Sequence, residues 1–163
     1  MARSKNLPTL ADTKPSVKIR LVDASKPENA ALLNWLQLKI LPSDIPADTS
    51  TGFWWVAFDA DLPVGFASVR RSTSFTHTGY LSRAGVIYSH RGQGLQSRLI
   101  RVRQAKAASL GWTHLITDTL NNPASANSLI RCGFKSYLPY KPWAADGAAY
   151  WIKRIGQPNG IFK

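Results

Sequence analysis

One stretch, Val86-Ile87-Tyr88-Ser89-His90-Arg91-Gly92-Gln93-Gly94-Leu95-Gln96, limits the fold more than any other part of the chain. A run that reads as a strand, Tyr80 to Tyr88, enters it, and a helix running to about Leu110 leaves it. Gly92 and Gly94 between them permit a left-handed backbone and close approach of a ligand. The first amides of a helix have no intrahelical partner, and with the helix dipole they suit a phosphate. Five basic side chains and no acid lie from Arg91 to Lys106, so a diphosphate is physically sensible here. The loop is neither a P-loop, which needs Gly-Lys-Ser/Thr, nor Gly-x-Gly-x-x-Gly, because position 97 is Ser. Taken alone it is equally a tight turn that binds nothing.

Around this unit the periodicity predicts a first strand at Val17 to Val22 and a helix from Ala30 to Leu38 with Ala31, Leu32, Trp35 and Leu38 on one face. Leu41 to Ser50 reads as a loop or short helix. Strands follow at Phe53 to Phe58 and Pro63 to Arg70, with a turn at Asp59-Ala60-Asp61. In the helix after the glycine loop, Leu95, Leu99, Val102 and Ala105 form the apolar face, with Arg98, Arg101 and Lys106 off it, and Gly111 stops it. A strand at His114 to Leu120 comes next. Asn122 and Pro123 cap a helix that ends at Gly133, and strands begin at Phe134 and Ala148. The order gives an α/β chain with a mixed sheet. Residues 1–15 read as a loose arm, 16–156 as a single domain and 157–163 as a tail, which suits a chain of 163 residues.

Charge narrows the partners. Residues 1–60 carry 7 basic and 6 acidic side chains, and residues 61–163 carry 14 and 3, within a total of +12. The later part should attract an anion: nucleic acid, an acidic membrane surface or a phosphorylated cofactor. The alternative is a basic soluble surface with no specific partner. A lone cysteine, Cys132, excludes an intramolecular disulfide, and no apolar run suits a membrane span or secretory signal, so cytoplasm is the expected compartment. No helix-turn-helix, zinc or RNA-binding signature accompanies the charge, which makes nucleic acid the less favoured partner. No metal site is expected.

Arg91-x-x-Gly94-x-Gln96 resembles the Arg/Gln-x-x-Gly-x-Gly/Ala signature of the GNAT N-acetyltransferase superfamily. Asn122-x-x-Ser125 and Leu129-Ile130-Arg131-Cys132-Gly133-Phe134 are similar to that family's Asn-x-x-Ala segment and its helix ending in Gly-Phe. The resemblance is clear over Tyr80 to Tyr137 and extends by element order from Val17 to Ile155. It implies a mixed, mostly antiparallel sheet with splayed central strands and flanking helices. It also implies acetyl-coenzyme A as cosubstrate, its pyrophosphate on the amides of Arg91, Gly92, Gln93, Gly94, Leu95, Gln96 and Ser97. The pantetheine arm would lie between the strands ending at Val86 and Leu120. Amides at Ala84, Gly85 and Val86 would hold the arm and polarise the thioester, with Gly85 suited to a bulge. Asn122 and Ser125 would lie near the pantetheine or acetyl group.

The sequence departs from the family in three places. Gln96 replaces a small residue. Where many relatives have a tyrosine that protonates the departing thiolate, this chain has Leu129, which leaves Tyr137, Tyr140, or Ser125 or Ser128 through a water, as candidates. Relatives often use a glutamate on a central strand as base; here the best-placed acid is Asp118, with base action through water or a neutral acceptor as alternatives. Asp118 also reads as a strand-end carboxylate or a partner of Arg83, His90 as a loop residue and Cys132 as a small buried one. Of Trp54 and Trp55, one is expected in the core and the other at an acceptor site or partner. The implied function is transfer of an acetyl group to an amine on a small molecule or peptide. A silent binding module of the same fold and a basic nucleic-acid binder are the rival readings. Leu41 to Phe53 and Pro139 to Ala149 should shape the acceptor pocket, and two sheet edges would permit a homodimer.

Overall fold

Seven strands form one sheet in the order β1-β2-β3-β4-β5-β7-β6 in the computed structural model, which describes residues 17–156. The strands are β1 (Val17–Val22), β2 (Phe53–Asp59), β3 (Leu62–Arg71), β4 (Thr78–Val86), β5 (His114–Thr119), β6 (Lys135–Tyr137) and β7 (Ala149–Arg154). The helices are α1 (Pro27–Ile40), α2 (Leu95–Ser109) and α3 (Pro123–Arg131). The proposed arm and tail lie outside the described residues. Every strand pairing is antiparallel except β4 with β5. That one parallel pairing covers Thr78, Gly79 and Tyr80 against His114, Leu115 and Ile116, and then stops. Beyond it the two strands part, as expected from the resemblance.

Helices cover both faces. Leu33 and Leu36 of α1 pack on Trp54, Val56 and Phe66. Ile100 and Ala107 of α2 and Leu129 of α3 pack on Trp55, Val69, Leu81 and Leu115. Trp54 and Trp55 therefore point to opposite sides and are both core, which corrects the expectation that one would face a site or partner.

Local signals explain the helix ends. Asn122 accepts a hydrogen bond from the Ser125 amide at 3.0 Å and Pro123 follows it at the first helical position. Gly111 and Gly133 take φ of +75° and +86° just past α2 and α3. Three details differ from the sequence expectation. In α1 the buried residues are Leu33, Leu36 and Gln37, and Trp35 lies half-exposed beneath the Lys39 ammonium. In α2, Ala105 is exposed and Arg103 is buried in its place. The strand expected to reach Tyr88 ends at Val86 and gives way to a single 3₁₀ turn, Tyr88–His90. No helix among the described residues is long and apolar enough to cross a membrane.

Candidate acyl-transfer cleft

Gly92 and Gly94 take φ of +74° and +75°, and a Cβ at either would meet nothing within 4 Å. Their conformation, not crowding, requires glycine, and the loop stands open. Gly94 is the N-cap of α2 and no side chain caps that end, so its first amides point out of the helix unpaired within it. Arg91 folds back and donates from Nε to the Val86 carbonyl at 3.0 Å.

A cleft of about 620 Å³ runs inward from there. Ser82, Ala84, Gln96, Ile100, Thr117 and Ser125 are among its lining residues, with Asn122 and Leu129 on the α3 side. It fills the wedge where β4 and β5 part.

The orientation of the β4 backbone follows from a bulge. The β3–β4 register shifts between Ala67 and Val69, so Ser68 faces both Ser82 and Arg83. The Ser68 hydroxyl accepts from the Arg83 amide at 3.2 Å and contacts the Ser82 hydroxyl, filling the interrupted ladder. Before the bulge, Leu81 turns its carbonyl toward β5 and takes a hydrogen bond from Thr117 Oγ1 at 2.8 Å. After it, Ile87 donates to Val64 on the β3 side at 2.9 Å. Alternation along the strand then turns the amides of Ala84 and Val86 toward the gap and that of Gly85 toward β3. The bulge thus lies two to three residues before Gly85. A Cβ at 85 would lie 2.5 Å from Ile40 Cγ2, so glycine there lets the end of α1 pack close against β4.

The inner end of the cleft is polar. Asp118 Oδ1 accepts from Tyr80 Oη at 2.7 Å and from Trp143 Nε1 at 3.1 Å. The Arg70 guanidinium lies over the Tyr80 ring at 4.7 Å. Arg83 pairs with Asp44 and also donates to the Ile45 carbonyl at 3.0 Å, so it does not pair with Asp118. Buried Gln37 exchanges two hydrogen bonds with the backbone of Ala47. Gln37 and Arg83 together fix the α1–β2 loop, which walls the cleft through Leu41, Asp44 and Ala47.

The sequence of the Acetyltransferase (GNAT) family matches residues 22–134, more than half of the chain. The chain belongs to the GNAT family. Solved acetyltransferase structures share its fold. An Escherichia coli ribosomal-protein-S18-alanine N-acetyltransferase is 14% identical, covers 90% of this chain and 99% of its own, and has a TM-score of 0.68. A Bacillus subtilis acetyltransferase in complex with coenzyme A is 18% identical, with 85% and 98% covered and a TM-score of 0.66. A Salmonella typhimurium protein solved with its cofactor acetyl-coenzyme A is 17% identical, with 88% and 96% covered and a TM-score of 0.65. No curated protein sequence matches the chain.

Within this GNAT fold the residues singled out from sequence separate into two sets. Asp118, Ser125, Asn122, Ala84 and Gln96 line the cleft, as does Leu129. Tyr137 and Tyr140 do not. Tyr140 is 96% exposed on the β6–β7 connection, and Tyr137 packs on Trp143 and Tyr150 with its hydroxyl buried and unbonded among the described residues. His90 is held by Asp59, Nε2 to Oδ2 at 2.8 Å, and Cys132 is buried. Tyr80, Arg70, Arg103 and Trp143 were not singled out, because they come to Asp118 and the cleft only through strand register and packing.

Burial first, and then the Asp118 carboxylate, raise the Tyr80 phenol well above its ordinary value. Tyr80 therefore stays a proton donor to Asp118. Above about pH 10 the unfolded chain releases this proton and the folded chain keeps it, so stability falls as pH rises past that point. Urea midpoints at pH 9 and pH 11 should show a smaller alkaline loss in Tyr80→Phe than in the wild type. The paired comparison separates this group from Arg103, whose burial acts in the opposite sense over that range.

Proposed function

We propose that the chain is an acetyl-coenzyme A-dependent N-acetyltransferase that passes the acetyl group to a primary amine by direct attack in a ternary complex. The observation that carries this reading is the cleft opened by β4 and β5, running from the uncapped end of α2 to Asp118. A diphosphate would rest on the amides from Arg91 through Gly92, Gln93, Gly94, Leu95 and Gln96 to Ser97, where orphan N–H groups and the helix dipole favour it. The pantetheine arm would extend between the strands, beside the gap-facing amides of Ala84 and Val86. Such amides hydrogen-bond the thioester carbonyl and stabilise the charge that grows on its oxygen during attack. Asn122 and Ser125 would flank the arm from the N-terminus of α3.

Asp118 is the candidate base. Tyr80 and Trp143 both bond Oδ1, which fixes the carboxylate and leaves Oδ2 to accept a proton from the incoming ammonium, directly or through water. The neutral nitrogen then attacks the thioester carbon, the C–N bond forms, the C–S bond breaks, sulfur leaves as a thiolate, and the nitrogen gives up its second proton to water. A thiol has a pKa of ~8.5, so solvent can supply its proton and Leu129 in place of a tyrosine is no obstacle. The acceptor enters past the α1–β2 loop and the β6–β7 connection and is a small molecule or peptide amine.

The test is thermal unfolding with acetyl-coenzyme A, with ATP as a control for plain polyanion binding. Ligand at about 100 times its Kd adds ~2.7 kcal/mol, which raises Tm by roughly 5–10 °C for a chain of this size. Gly94→Trp, strained at φ +75° and bulky within the cradle, should abolish the shift. An equal shift with ATP would reduce the loop to a polyanion site. A specific shift with no turnover of any amine would make the chain a binding module.

A further inference from the structure

Arg103 is a buried cation to which the acetyl transfer described above gives no role. It is 3% exposed and still lines the cleft. Its Nε donates to the Leu99 carbonyl at 3.0 Å and its Nη1 to the Ser68 carbonyl at 3.3 Å. These bonds fix the guanidinium plane, and the structure records none from Nη2 and no ion pair for Arg103 among the described residues. Burial without a carboxylate pulls its pKa down to about 9. Exposed cations are cheap and buried unpaired ones are costly, so a buried arginine facing a cleft calls for an anion.

Its position says which anion. Ser68, which Arg103 contacts, faces the β4 bulge at Ser82 and Arg83. The bulge immediately precedes Ala84, the first of the two amides assigned to the thioester. Eight residues of α2, a rise of about 12 Å, separate Leu95 from Arg103, and the bond to Leu99 brings the side chain back about one turn, so the guanidinium sits between the diphosphate loop and the middle of α2, beside the β4 bulge. The two faces of β4 divide the roles. Tyr80 lies on the face with Arg70 and Asp118, from which the amine approaches. Leu81 lies on the other face, packed with Ile100 and Leu129, and Arg103 joins that side from α2.

We propose that Arg103 forms the floor of an acyl pocket that takes, beyond the acetyl group, an acyl chain ending in a carboxylate, as in a coenzyme A monothioester of a short dicarboxylic acid such as the malonyl or succinyl ester. This rests on the assignment of the gap between β4 and β5 to the thioester. An acetyl methyl offers the guanidinium nothing, whereas a terminal carboxylate matches its planar fork and restores the missing charge partner. The transfer balances as before. The ammonium gives one proton to the base, the amine nitrogen bonds the thioester carbon, the C–S electron pair leaves on sulfur, the second nitrogen proton passes to water, and the terminal carboxylate stays ionised on the product amide.

The experiment is calorimetric titration of the full chain with acetyl-, butyryl- and succinyl-coenzyme A. Butyryl and succinyl have the same backbone length and differ by a methyl against a carboxylate. The wild type is expected to bind the succinyl ester at least tenfold tighter than the butyryl ester, and that ratio should fall to about one in Arg103→Met. A wild-type ratio near one, which needs no variant to read, overturns the proposal. So does a ratio that survives in Arg103→Met. Free succinate titrated into the coenzyme A complex must bind far more weakly than the ester gains; equal binding would make Arg103 a site for free anions and overturn the acyl assignment. Failure of all three thioesters to bind would instead remove the thioester reading itself, so the two failures are distinguishable.

Discussion

Asp118→Asn should lower kcat with a primary amine by about 10²–10⁴-fold, the range that a positioned acid or base contributes. The substitution is a fair test because asparagine keeps Oδ1, which can still accept from Tyr80 Oη and Trp143 Nε1. The side chain should hold its place while Oδ2 becomes an amide nitrogen that cannot take a proton. The variant's rate should then depend on how much acceptor is already neutral. For a lysine-like amine with pKa ~10.4, the rate at pH 7 is limited by a small neutral fraction and rises about tenfold per pH unit until that pKa. The wild type should level off earlier, because Asp118 removes the proton within the complex. Steady-state rates from pH 6 to 10 check this. An Asp118→Asn rate within twofold of the wild type across that range would assign the carboxylate to orienting Tyr80 and Trp143 only, and the base would then be water or an acceptor that arrives neutral.

Much of the scaffold could be read from residues whose physical demands are local. Positive φ at Gly92, Gly94, Gly111 and Gly133 follows from a glycine standing where a helix starts or stops. The Asn122–Pro123 cap is likewise complete within a few residues. The polar end of the cleft was legible only for Asp118, because what surrounds it depends on register. Tyr80 pairs with Ile116 in a parallel ladder, and that offset puts its hydroxyl beside Asp118, 38 residues away. No periodicity within one strand carries such information. Two side-chain assignments failed for a shared reason. Helix α1 is apolar on most of its surface, so Ala31, Leu32, Trp35 and Leu38 made as regular a stripe as the one that is buried. In α2 the stripe Leu95, Leu99, Val102 and Ala105 was likewise as regular as the buried one, yet Arg103, which that reading did not place, falls on the i, i+3, i+7 line of Ile100 and Ala107 and is buried with them. A cation on an apolar stripe is the signal that could have found it. The bulge was placed at Gly85 by residue type, but it is stabilised by the hydroxyl of Ser68, on the neighbouring strand.

Gly79→Ala should destabilise the fold by about 1–3 kcal/mol, the usual cost of overpacking, and lower Tm by roughly 2–4 °C for each of those. Added methyl carbon would lie 2.5 Å from Trp112 Cε3, 2.7 Å from its Cζ3 and 2.8 Å from Leu115 Cδ2. Both neighbours are core residues, so neither can swing into solvent. The position matters beyond its volume. Among the described residues, strands β1 to β4 and the β5-β7-β6 group meet in the sheet only through the pairs at Thr78, Gly79 and Tyr80, and Gly79 faces Leu115 at the middle of that seam. Relief of the clash means moving β4 from β5 or displacing Trp112, and the first also lengthens the Tyr80–Asp118 bond. Activity should therefore fall further than the lost population of folded protein explains. Gly85→Ala is the natural comparison, since its nearest atom is Cγ2 of Ile40, a partly exposed side chain at the end of α1 that has room to yield. Urea unfolding of the two variants beside the wild type should show the larger loss at Gly79. Equal losses would mean that the seam gives as readily as a helix end, and a cleft whose width depends on three residue pairs would then have no rigid origin.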